Sequence, residues 1–116
     1  MVEVELYEGG EVQSPANAFV GELQTVYLQL LDHDGSPVDI TTGTLTASYI
    51  NSLTGAAYTF PSGTATLTKV SNPLGIVSLL NPAAYPSSAR VRVVVTFTNG
   101  AVIRKFGPMI VGVQAI

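Results

Sequence analysis

The sequence predicts an all-β protein, an immunoglobulin-like antiparallel β-sandwich of about seven or eight strands. Apolar and polar residues alternate in several short segments, and turn residues separate these segments roughly every eight to twelve residues. No window has the period of an amphipathic helix, and β-branched residues dominate the apolar segments. With 116 residues, the chain has the length of one domain with its own core.

The clearest strand signal is a hairpin near the C-terminus, from Ala89 to Phe106. Apolar residues occupy the odd positions from 89 to 97, whereas Arg90 and Arg92 fall on the other face, as in a half-buried strand. Asn99-Gly100 then predicts a tight turn with positive φ at both central residues.

Two features complicate the second half of this hairpin. A strict two-residue turn places Arg104 on the core face. Either a bulge follows Gly100, or Arg104 lies near the sandwich edge with its charge in solvent, and we favour the bulge. Pro108 is compatible with a last edge strand over 109–113.

Shorter alternating segments predict the earlier strands. In chain order they are residues 2–7, 24–31, 44–51, 57–60, 64–70 and 76–80. We expect one shared core, formed by Val26, Leu28, Leu30, Leu45, Ala47, Tyr49, Val77, Leu79, Val93, Val95 and Phe97.

Charged residues are few and unevenly distributed. They make up 11% of the chain, against a usual share of about 25%. All acids lie between Glu3 and Asp39, all Lys and Arg lie between Lys69 and Lys105, and the range 40–68 has no charge. The net charge of −3 argues against a nucleic-acid partner. The absence of cysteine excludes disulfides and thiolate metal sites.

The same pattern predicts interaction surfaces. Interface cores are depleted in charge, so the neutral range, with Thr46 and Ser48, is expected to contact other subunits. Glu3 and Glu5 form a stripe that is complementary to the one formed by Arg90 and Arg92. These stripes meet within one chain if the first strand stays in its own sandwich. They meet between subunits if residues 1–22 form an arm.

We favour the arm, because residues 11–22 have little pattern. This interpretation divides the chain into an N-terminal strand and arm, 1–22, and a sandwich, 23–116, within one domain overall.

Candidate chemistry is sparse. Asp32, Asp34 and Asp39 offer oxygen ligands near a tight turn, but a calcium loop's closing glutamate is missing, so we interpret the segment as a solvated turn. His33 is the only histidine, and a histidine in a polar turn is usually exposed rather than catalytic. The sequence therefore predicts a non-enzymatic protein without a cofactor or a small-molecule substrate.

No apolar run approaches the ~20 residues of a membrane helix, and the first residues lack the layout of a signal peptide. We therefore expect that the protein does not associate with a membrane. We also expect that it is synthesised in the cytoplasm.

The segment Thr25–Thr46 contains a strand followed by LLDHDGSPVDITTGTLTA. This segment resembles the N-terminal domain of phage baseplate upper proteins and related immunoglobulin-like domains of phage virions. The resemblance covers Asp32, Asp34, Gly35, Pro37, Val38, Asp39, Ile40 and Gly43, then 75–79 and the hairpin from Asn99 to Pro108. It implies an immunoglobulin-like fold and a structural role.

The resemblance leads us to expect a structural virion protein that binds other virion proteins and forms homo-oligomers. The chain ends at Ile116. In the baseplate proteins further domains follow, so we expect a free-standing component, such as a capsid cement protein or a tail or baseplate accessory protein. The alternative is a carbohydrate-binding or host-adhesion module, which should expose aromatic side chains in a cleft.

Overall fold

The computed structural model describes residues 3–13 and 18–115, and for Glu3 the backbone only. Within these residues, all regular structure is β-strand. The strands are β1 (Glu3–Tyr7), β2 (Val12–Gln13), β3 (Ala18–Phe19), β4 (Thr25–Leu31), β5 (Thr44–Asn51), β6 (Thr66–Ser71), β7 (Ile76–Leu80), β8 (Ala89–Asn99) and β9 (Val102–Gln114). The described residues include no helix that could cross a membrane. The expected all-β class is confirmed.

Two sheets pack face to face as a sandwich. One sheet has the order β1-β4-β7-β6, and the other has the order β2-β9-β8-β5 with β3 also on β9. The grouping of β4, β7 and β6 against β9, β8 and β5 is consistent with an immunoglobulin-like arrangement. Both sheets are mixed rather than wholly antiparallel, because β1 runs parallel to β4 and both β2 and β3 run parallel to β9.

The predicted hairpin is present, but its turn lies one residue further along. Asn99 pairs with Val102, so the central residues are Gly100 and Ala101. Gly100 has φ +61°, and no described residue other than glycine has positive φ. A single positive φ at the first central position suits a II′ turn, whereas the Asn-Gly prediction required two.

The favoured bulge directly after Gly100 is therefore wrong. Arg104 lies opposite Phe97, on the core face near the end of the sheet. The irregularity falls later, where Val95 pairs with Phe106 but Val93 pairs with Met109. This extra residue on β9 moves the core-facing side chains from even positions, Arg104 and Phe106, to positions 109, 111 and 113.

The expected edge strand at residues 109–113 is wrong in its position. These residues continue β9, which pairs with β8 on one side and with β2 and β3 on the other. Pro108 can occur in this strand because it lies at the irregularity, where the regular ladder of hydrogen bonds is interrupted.

The predicted core is confirmed, with two of its members at its margin. Leu45 and Ala47 are partly buried on edge strand β5, while the other nine predicted residues are buried. Among the buried residues that the prediction did not name are Val4, Leu6, Ile40, Tyr58, Tyr85, Val91, Phe106, Met109, Val111 and Val113. Residues 57–60, predicted as a strand, form only an isolated bridge at Ala57.

The N-terminal segment belongs to the sandwich, so the expected arm is wrong for the described residues 3–13 and 18–22. Leu6 is fully buried and Val4 is 5% exposed, both within the shared core. The chain then reverses around Gly9 and crosses to the second sheet as β2. Burial of these apolar side chains explains why the segment stays on its own sandwich. Val2 and residues 14–17 lie outside the described residues.

Candidate interaction surface

One lateral side of the sandwich is formed by edge strands β5 and β6 and the connection between them. Most of it comes from the uncharged range 40–68, and Lys69 is its only charged residue. The predicted interface residues Thr46 and Ser48 are exposed on β5. The structure therefore places them together on a neutral edge of the sheet.

The backbone of β5 is paired on one side along its whole length and on the other side only near its end. Residues 44–51 all pair with β8. On the outer side, Tyr49 accepts a hydrogen bond from the amide of Tyr58 (2.9 Å), and Asn51 donates to the carbonyl of Ala56 (2.8 Å). The 56–58 segment thus covers the last residues of β5.

The first part of this edge is open. Successive residues of a strand direct their backbone groups to opposite sides, so Leu45 and Ala47 point outward like Tyr49. In the described part of the chain, no backbone hydrogen bond outside the strand ladders involves either residue. Beyond this open segment, Lys69 donates to the carbonyls of Gly43 (3.1 Å) and Thr41 (3.4 Å). Since Lys69 thereby turns inward, it does not protect the open edge as edge lysines often do.

The opposite side of the sandwich carries an ion-pair cluster formed by Glu8, Asp32, His33 and Arg104. Arg104 binds both carboxylate oxygens of Glu8 through its Nε (3.0 Å) and Nη2 (3.1 Å). Its Nη2 also lies 3.5 Å from Oδ1 of Asp32, and its guanidinium lies 5.5 Å from the ring centre of Phe106. A core-facing arginine is thus neutralised by an acid that comes just after β1.

The pairing of Glu8 with Arg104 shifts the pKa of both groups. Hydrogen bonding to the guanidinium of Arg104 holds the pKa of Glu8 below its ordinary value, and the same contact raises the pKa of Arg104. Sequence reasoning missed the pair, although the placement of Arg104 on the core face could have prompted a search for a nearby acid.

The candidate metal ligands are not brought together. Asp34 accepts a hydrogen bond from the amide of Ser36 (2.9 Å), and Asp39 accepts hydrogen bonds from the hydroxyl (2.5 Å) and the amide (2.9 Å) of Thr41. These bonds lower the pKa of each carboxyl, and both side chains are exposed. They stabilise turns, as the solvated-turn interpretation predicts.

Asp32 instead has Glu8 and His33 as neighbours, with possible ligand atoms within 4.8 Å of one another. The side chain of His33 is 80% exposed, and its Nδ1 lies 2.9 Å from Oδ1 of Asp32. Both carboxylates of this group already contact Arg104. The guanidinium of Arg104 therefore supplies the positive charge that a bound metal ion would otherwise bring.

The two predicted charge stripes do not face each other. Glu5 is exposed on β1 in the first sheet, and the side chain of Glu3 lies outside the described part of the structure. Arg92 lies 3.8 Å from Glu11, and Arg90 donates to Gln13 at 3.5 Å, both beside β2. The bases therefore meet the N-terminal segment of their own chain, at residues further along than predicted.

Four of the nine aromatic rings are packed against one another at one end of the sandwich. Tyr49, Tyr58, Phe60 and Tyr85 have ring centres 5.0–6.3 Å apart. Tyr49 donates to the buried amide of Asn81 (2.8 Å), and burial raises the pKa of its hydroxyl. These rings stabilise the fold and are not available to stack on a ligand.

A shallow depression of about 550 Å³ lies beside this aromatic cluster and is lined by Phe19, Val20, Gly21 and Glu22. Phe19 is 43% exposed. Among the described residues of this lining, only Glu22 is ionisable, so the depression has mainly an apolar character.

A comparison with models of protein families gave no match, and a comparison with curated proteins gave none either.

Proposed function

We propose that this chain is a non-catalytic structural protein of a phage virion that acts through protein–protein contacts. The observation that supports this most directly is the neutral lateral side with its open β5 edge. An uncharged edge without proline or bulge is a template for pairing with another chain, and independent proteins usually protect such edges. The phage assignment itself comes from the sequence resemblance around the Asp32–Gly43 turn.

In this proposal the protein binds other virion proteins, of the head or of the tail, and forms homo-oligomers. Its site of action is the virion, as a capsid cement protein or as a tail or baseplate accessory protein. Binding needs no cofactor, nucleic acid, membrane or small-molecule substrate.

Mass spectrometry of purified particles tests the proposal. We expect the chain in intact particles, at hundreds of copies for a capsid position or at a handful for a tail position. Its absence from particles of a phage that expresses it would refute the structural role.

Lysine substitutions test the surface. Ser48→Lys and Ser62→Lys change exposed residues, so we expect them to fold normally and at least one to reduce incorporation into particles. Glu5→Lys is a matched control on the opposite side, and it should be incorporated like the wild type. Normal incorporation of both lysine variants would show that the neutral side is not the contact surface.

Carbohydrate binding is the second candidate. The half-buried Tyr7 and Tyr27 both lie on the outer face of the first sheet, where Gln29 could contribute an amide. However, most rings are internal, and Gln29 already donates to the carbonyl of Leu74 (3.0 Å). Screening the protein against glycans distinguishes the two candidates, since a Tyr27-dependent glycan signal would favour adhesion.

A further inference from the structure

We propose that the open edge of β5 pairs antiparallel with the same edge of a second copy, about a two-fold axis at Thr46. This inference rests on the proposed function as a protein-contact module and identifies one of its partners. The two copies of the β5 sheet would join edge to edge into one continuous sheet.

The direction of the backbone groups sets the register. Leu45 and Ala47 present free amide and carbonyl groups outward, between the segment 49–51, which residues 56–58 cover, and the segment held by Lys69. With Thr46 opposite Thr46 of the second copy, Leu45 lies opposite Ala47 and both copies contribute a hydrogen-bonded pair. Four backbone hydrogen bonds form, and no outward group of 45–47 is left over.

The side chains are self-complementary in the same register. On the outer face, Thr46 meets its own copy and Thr44 meets Ser48, which gives rows of small hydroxyl residues without opposed charges. On the core-facing side, the partly buried Leu45 lies opposite the small Ala47, so a large side chain meets a small one in both halves.

The size of the contact predicts its strength. A five-residue edge falls below the ~1,000 Å² expected of a stable interface. We therefore expect a reversible dimer at high protein concentration, strengthened when many copies are held together in an assembly.

A pair of charge variants tests the axis at Thr46. In Thr46→Lys or Thr46→Glu, like charges face each other across the axis, and we expect the association constant in sedimentation equilibrium to fall by about tenfold or more. An equimolar mixture of the two variants should recover association, because Lys then faces Glu. Thr68→Lys, on the exposed face of edge strand β6, is the matched control and should associate like the wild type.

Ala47→Pro provides a second test, because it removes an outward amide and leaves the ladder to β8 in place. We expect a folded monomer. The exposed Thr46 variants retain a readout if this proline variant does not fold.

The proposal is overturned if the wild type is monomeric up to about 1 mM. It is also overturned if the mixture associates no better than each variant separately, or if Thr68→Lys weakens association as much as Thr46→Lys. Incorporation of the chain into particles despite these results would leave the virion role intact and refute only the self-pairing.

Discussion

Phe97 shows how the core depends on a single residue near the end of a strand. It is 4% exposed, and a Cβ at Gly43 would approach its ring within 3 Å, so the ring fills its site tightly. We expect Phe97→Ala to lower the free energy of unfolding by about 3–5 kcal/mol, measured by urea denaturation. Thr98→Ala, on the opposite face of β8, is the control. A loss below about 1 kcal/mol for Phe97→Ala would contradict the assigned face.

The Glu8–Arg104 pair makes stability depend on pH. The pKa of Glu8 is lowered in the folded protein, so its contribution is present above the unfolded pKa of about 4.5 and is lost as the pH falls through the folded value. We expect Arg104→Met to cost about 1 kcal/mol at pH 7 and less near pH 3. Urea denaturation at both pH values measures this.

Lys105→Met, next along β9 and exposed, should have a small effect at either pH. If Arg104→Met lowers the free energy of unfolding equally at both pH values, the lost stability comes from the packing of Arg104 on Phe106 and not from the ion pair.

At the scale of elements, β1 is a structural strand and not a detachable arm. It provides the outer neighbour of β4 over five residue pairs and buries Leu6 completely. We expect a chain lacking residues 1–8 to lose its cooperative thermal transition in circular dichroism, because the core loses Val4 and Leu6 together. Glu5→Lys should keep the transition, since Glu5 is exposed. A folded deletion variant would restore the arm interpretation.

For the whole molecule, we expect folding without a metal ion. Arg104 contacts both carboxylates of the one group of possible ligands that the described residues contain, and turn hydrogen bonds occupy Asp34 and Asp39. Thermal melting with and without a chelator should give the same midpoint. A decrease of several degrees with the chelator would contradict this prediction and indicate a bound cation.

The alternating segments predicted the strands well where one face is buried along the whole length. In β4, β7 and β8, the period of two places the core residues on the correct face, since burial on one face is a local constraint, and Leu31 at the end of β4 is buried out of this period. The neutral range predicted an interface that includes Thr46 and Ser48; both residues are exposed on β5, and the interface itself stays a prediction.

Only the tertiary structure decided the contacts between distant residues. Whether β1 stays on its own sandwich depends on a free site beside β4. The partner of Arg104, Glu8, is 96 positions away in the chain. The irregularity at Gly107-Pro108 was equally hidden, because it appears only when β8 and β9 are paired. Alternation along a strand thus determined which side chains turn inward. The neighbour of each strand was settled by packing, since pairing energy depends on what lies opposite and not on the strand itself.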